Sequence, residues 1–229
     1  MSVEAATPRQ QHARALLDAL HPVQFGAMPS PLLDSARASA LGRRLLARTA
    51  LRRARSVFAP DQERWQSWHA QDEAWLYWPL ARLQSFSRTL GAIALGPALR
   101  THVERQTVLF LREVLGADWR QAQLATPWPG AAPDPIRQMG IAVLQRCGRD
   151  ATLLNAAVHE RGLIEFLAHA ERRSAELAAR LALSYAKIPP TPCSRESWLP
   201  LGAVATLLAA EAARDNTLEQ PATAEPVQP

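Results

Sequence analysis

Lysine is almost missing from this chain: Lys187 stands alone, and arginine supplies the rest of the 26 basic residues. Cysteine is nearly as rare. Cys147 and Cys193 lie far apart and outside any paired motif, which excludes a disulfide scaffold and fits a reducing compartment. Nowhere do about 18 uncharged apolar residues run together, so no transmembrane helix and no direct membrane insertion are expected. The opening MSVEAATPRQQHARALL contains Glu4 and lacks an apolar core of signal-peptide length, so a cytoplasmic protein is expected. Glycine is too scattered to cradle phosphate: neither Gly-x4-Gly-Lys-Ser/Thr nor Gly-x-Gly-x-x-Gly occurs, and no Gly-x-Ser-x-Gly elbow presents a serine. No stretch alternates apolar and polar residues over strand length, and no internal repeat is evident.

What remains is globular and helical. Hydrophobic residues make up 48% and charged residues 21%, enough to bury a core without metals or disulfides. A short helix is expected over Gln10–Leu20, ended by His21-Pro22. Ser30-Pro31 with Asp34 is a helix start, and one long helix is expected from there to about Phe58. Further helices are expected over Asp61–Tyr77, from Pro79 to about Ala94, from Gly96-Pro97 to Leu115, and from Asp118 to Leu124. TPWPGAAPDP is a loop, and a helix follows from Pro135 to about Cys147. Another carries Leu153, Leu154 and Val158, with Gly162 as a weak point. Leu163–Lys187 reads as one long helix, Leu199–Arg214 as the last, and the chain from Asp215 as a disordered tail. The expected fold class is all-α, a single irregular multi-helix domain. Its parts are an N-terminal helix and loop (1–29), a helical core (30–188), a proline-rich linker with the final helix (189–214) and the tail (215–229).

The chemical motifs are weak. His159-Glu160 resembles half of a zincin helix, but the second histidine would fall at position 163, which is leucine. Asp72 and Glu73 are neighbours and point about 100° apart on a helix, so they do not share a site. Cys147 reads as a buried thiol before it reads as a nucleophile. No enzyme, metal, cofactor or small-molecule substrate is expected.

Two features are richer. Trp65, Trp68, Trp75 and Trp78 fall within an arc of about 140° on a helix, a face that either packs in the core or offers anchors to a partner. Between Ala36 and Pro60 stand seven arginines and no acid; subtracting those seven charges from the net +5 leaves −2 for the remainder. Arg37, Arg44, Arg48 and Arg55 are spaced 7, 4 and 7 apart, one stripe on a continuous helix, and they are the candidate partner-binding residues. Such a segment is a solvated or salt-bridged face, or it attracts acidic protein, nucleic acid or anionic lipid. Its leucines are interleaved too untidily for a clean membrane-surface helix.

From Leu80 to about Tyr185 the order of segments resembles the central region of the SctK (YscK-like) proteins of bacterial type III secretion systems, in particular their Hrp branch. LARLQSFSRTLGAIALGPALRTHVERQTVLFLREVLG carries the likeness through Arg82-Leu83, Leu90-Gly91, Leu99-Arg100 and Leu115-Gly116. The WRQAQLATPWPG loop, the helix from Pro135 and the late Arg/Glu-rich helix follow in the same order. HPVQFGAMPSPLLDS is similar to that family's opening segment. The resemblance implies a non-enzymatic cytoplasmic adaptor, peripheral to the inner-membrane apparatus. It would join an SctQ-like pod protein to the cytoplasmic domain of an SctD-like ring protein, with an SctL-like ATPase regulator as a further partner. An Arg-rich helical nucleic-acid-binding protein and a secretion chaperone or regulator are the alternatives.

Overall fold

The computed structural model describes residue 15 and residues 17–26, 28–53, 74–186 and 196–218. Among these every regular element is helical, so the chain is all-α. Two 3₁₀ turns, Pro22–Phe25 and Ala74–Tyr77, accompany α1 (Ser30–Ala38), α2 (Ala40–Arg53), α3 (Leu80–Leu99), α4 (Arg105–Leu115) and α5 (Ala117–Leu124). These are followed by α6 (Asp134–Cys147), α7 (Ala151–Arg173), α8 (Ala175–Ala182) and α9 (Ala203–Leu218). Among the described residues no helix is long and apolar enough to cross a membrane.

Local chemistry sets several boundaries. Pro31 and Pro135 sit in the first turns of α1 and α6, where their missing N–H costs nothing. Gly148 closes α6 at φ 56°, and the Asp150 carboxylate opens α7 by accepting from the amides of Thr152 and Leu153 at 2.8 and 3.0 Å.

Other boundaries depart from the sequence expectation. The helix expected from Ser30 to Phe58 breaks at Ser39, which turns extended (φ −98°, ψ 147°) and accepts from the Gly42 amide at 2.9 Å. α2 then packs so tightly on α1 that a Cβ at Gly42 would stand 2.3 Å from the Ala36 carbonyl oxygen. Residues 54–58 lie outside the described residues, as does most of the Asp61–Tyr77 segment and of the Gln10–Leu20 helix. Gly96-Pro97 does not start a helix; α3 runs through it to Leu99 and α4 begins only at Arg105. Pro97 stands in the last turn and forfeits a single helix bond there. Nor does Gly162 interrupt anything. α7 is continuous across it, and the break falls at Ser174, whose hydroxyl caps the Leu177 amide at 3.2 Å and starts α8. α8 ends at Ala182, short of the expected Lys187. The last helix is shifted to Ala203–Leu218, so Asp215–Leu218 are helical, and 219–229 lie outside the described residues.

α3 and α7 form the centre. Leu90–Leu99 and Arg161–Ala170 are each buried at every position, and a helix buried all round must be wrapped by neighbours. α5 and α6 pack on α3, while α4, α6, α8 and α9 pack on α7. The two central helices touch backbone to backbone. A Cβ at Gly91 would stand 1.8 Å from the Val158 carbonyl oxygen, and one at Gly162 only 1.6 Å from that of Ser87. Near this crossing Trp75 and Phe86 both meet Phe166 edge-on at 5.3 Å, and Trp78 meets Phe86 at 5.4 Å. Trp75 and Trp78 are therefore core residues; Trp65 and Trp68 lie outside the described residues.

A second, smaller cluster gathers Leu17, Leu20, Phe25, Leu33, Leu46 and Ala50 beneath the α1–α2 corner. Leu183 packs against it, and the His21 amide donates to the Leu183 carbonyl at 3.0 Å. The arginine-bearing helices thus rest on their own apolar base.

Candidate partner-binding surface

The break at Ser39 divides the arginine stripe. Arg37 is on α1, half-buried, and its guanidinium donates to the Leu20 carbonyl at 2.8 Å. Arg43 is half-buried too and donates to the Arg37 carbonyl at 2.9 Å. These two cations tie the corner together. Arg44, Arg48 and Arg52 on α2 are exposed, and among the described residues none of the three forms an ion pair. Arg55 lies outside the described residues. The sequence-derived set therefore resolves into a structural arginine, Arg37, and an outward pair, Arg44 and Arg48, which Arg52 extends.

The sequence did not single out the leucines between them. Leu46 faces the small core at 1% exposure, whereas Leu41 and Leu45 are 78% and 56% exposed. At about 100° per residue, Leu41, Leu45, Arg44, Arg48 and Arg52 occupy an arc of about 100°. α2 is apolar on two sides, and its hydrophobic pattern alone does not say which leucines lie inside.

A second polar arrangement lies inside the main core. Glu165 is fully buried and pairs with the Arg161 guanidinium, 4 residues earlier, at 2.8 Å. It also accepts from the Ser197 hydroxyl at 2.7 Å and from the Trp198 and Leu199 amides at 2.8 and 3.1 Å. Arg161 donates in addition to the Glu196 carbonyl at 2.7 Å and lies over the Trp198 ring at 4.5 Å. The pair clasps the segment leading into α9 against α7. Arg82, lying over the Trp78 ring at 4.1 Å, holds α9 further along by donating to the Glu211 carbonyl at 3.1 Å.

Beside this clasp a cavity of about 440 Å³ opens between α6 and α7, lined by Leu95, Val143, Cys147, Leu153, Ile164 and Trp198 among others. Cys147 is buried, and burial pushes its thiol pKa up against the opposing pull of Arg146. A nucleophilic cysteine requires the reverse. Cys193, Asp72 and Glu73 lie outside the described residues.

Among the described residues the histidines are dispersed. His159 packs its ring on Tyr185 at 5.6 Å, and the Tyr185 hydroxyl bonds that of Ser87 and donates to the Leu83 carbonyl at 3.2 Å. Among the described residues no group of three His, Cys, Asp or Glu side chains is placed to hold a metal ion.

His169 is buried near the C-terminal end of α7. Burial, reinforced by Arg172 and Arg173, pushes its pKa down to about 4. Unfolded, the ring takes a proton near its ordinary pKa of 6.5; folded, it resists until about 4. Between these values the unfolded state binds more protons, so stability falls as pH falls. The expected loss from this residue is about 3 kcal/mol by the acid end of that window. Urea unfolding at pH 7, 5.5 and 4 checks this: His169→Leu should have a flatter pH dependence than the wild type. Identical slopes would refute it.

The fold and this surface together define an all-helical protein with a compact two-helix core and an exposed arginine–leucine face on α2. Comparison with protein-family models, curated proteins and solved structures gives no match.

Proposed function

We propose that the chain is a non-enzymatic cytoplasmic adaptor of a type III secretion sorting platform, linking an SctQ-like pod protein to the cytoplasmic domain of an SctD-like inner-membrane ring. The segment order from Leu80 to Tyr185 supplies the family resemblance. The observation that carries a binding role is the outward face of α2, where Arg44, Arg48 and Arg52 are exposed without ion pairs among the described residues. Exposed arginines in such a row suit carboxylates, which guanidinium forks bind in pairs. A single exposed ion pair contributes only about 0–1 kcal/mol, so several must act together.

Co-expression with the pod protein and the ring domain tests this. The expected result is a three-component complex at low salt that weakens as salt is added. The same arginines could instead neutralise nucleic-acid phosphates, with affinity falling steeply as salt rises. If duplex DNA binds at low salt while the pod protein never co-purifies, the adaptor reading falls and the nucleic-acid reading replaces it.

A further inference from the structure

We infer that the outward face of α2 is a docking strip for an acidic amphipathic helix of another protein, with Leu41 and Leu45 as its apolar anchors and Arg44, Arg48 and Arg52 pairing with the carboxylates. The inference stands on this surface alone and takes from the adaptor reading only the identity of the partner.

On the inner side of the same helix Leu46 and Ala50 are buried against the small core and Gly42 meets the Ala36 backbone of α1, so the packing of α2 is already satisfied. Leu41 and Leu45 lie outside that cluster, one turn apart and mostly exposed. Along the chain the charge beside them has one sign: from Ala36 to Pro60 there is no acid. Arg37 and Arg43 bond carbonyls of the corner and leave the strip to the other three.

Apolar residues at the centre of a strip exclude water from the ion pairs beside them, and arginine is enriched where binding energy concentrates. A partner complementary to this pattern carries leucine-type side chains flanked by Asp or Glu on one helix face. A nucleic-acid backbone offers phosphates but no apolar surface for Leu41 and Leu45. A lipid surface requires a broad apolar face sunk into the headgroup layer, and two leucines among three arginines do not provide one.

The test uses the purified full chain and four probes: the pod protein, a synthetic Glu/Leu amphipathic helical peptide, phosphatidylglycerol vesicles and duplex DNA. The variants are Leu41→Asp with Leu45→Asp, Arg44→Glu with Arg48→Glu, and Arg105→Glu as an exposed charge reversal on α4. All should unfold at the wild-type temperature. Peptide binding should weaken at least about tenfold with either α2 pair and stay within about twofold with Arg105→Glu. The pod protein should show the same pattern. If it binds but ignores both α2 pairs, the docking strip is refuted and the adaptor reading survives. Should the peptide show the pattern while the pod protein does not bind, the strip survives and the adaptor reading falls. Tighter binding to vesicles or DNA than to the peptide, or indifference of the peptide to the leucine pair, overturns the inference.

Discussion

Gly162→Ala should destabilise the protein by about 3 kcal/mol or more, although alanine is the better helix former by about 1 kcal/mol. The two effects have opposite signs, so the measurement decides between them. On an uncrowded helix the propensity gain would appear as stabilisation. Here the added methyl would stand 1.6 Å from the Ser87 carbonyl oxygen and 2.8 Å from the Gly91 amide nitrogen, and both of those atoms are backbone. No side chain can rotate away to make room; α3 and α7 must separate. The fully buried stretches Leu90–Leu99 and Arg161–Ala170 begin at this crossing, so separation loosens the contacts of both helices. Gly91→Ala should behave alike, since its methyl would stand 1.8 Å from the Val158 carbonyl oxygen. Urea unfolding of the two variants provides the check, and a higher midpoint than wild type would refute the close crossing.

Glu165→Ala should cost about 3–5 kcal/mol. The carboxylate is fully buried and holds Arg161, the Ser197 hydroxyl and the Trp198 and Leu199 amides. Its removal takes the counter-charge from a buried guanidinium and strands the Trp198 and Leu199 amides, while the Ser197 hydroxyl keeps the Leu199 carbonyl at 3.0 Å. Arg161→Ala should cost less, because Glu165 keeps its three other donors while Arg161 would otherwise keep only the Glu196 carbonyl. The expected order is therefore Glu165→Ala worse than Arg161→Ala. The larger loss should be accompanied by faster proteolytic release of α9, whose entry segment the clasp holds. Equal costs, or an undisturbed α9 in Glu165→Ala, would show that the clasp does not secure it.

The sequence pattern was most informative where a single residue dictates local geometry. The start of α6 at Pro135 and its end near Cys147 are legible because Pro135 and Gly148 act on backbone next to them in the chain. Absence of strand alternation was enough for the all-α class. The arginine segment was likewise visible as composition.

What the sequence alone determined is therefore the helical class, the starts of helices such as α1, α3, α5 and α6, and a cationic segment without acids. Tertiary structure decided the roles of residues whose partners are distant in the chain. Gly96 read as a helix start and Gly162 as a weak point because glycine lowers helix propensity, yet both lie inside helices where another backbone approaches. Glu165 and Arg161 read as two more charges of a polar helix, and only the return of residues 196–199 buries them as a clasp. The arginine stripe assumed one straight helix; the bend at Ser39 assigned Arg37 and Arg43 to carbonyls and left Arg44, Arg48 and Arg52 outside with Leu41 and Leu45. Helical periodicity places residues on faces, but which face meets protein and which meets water depends on contacts that no local pattern encodes.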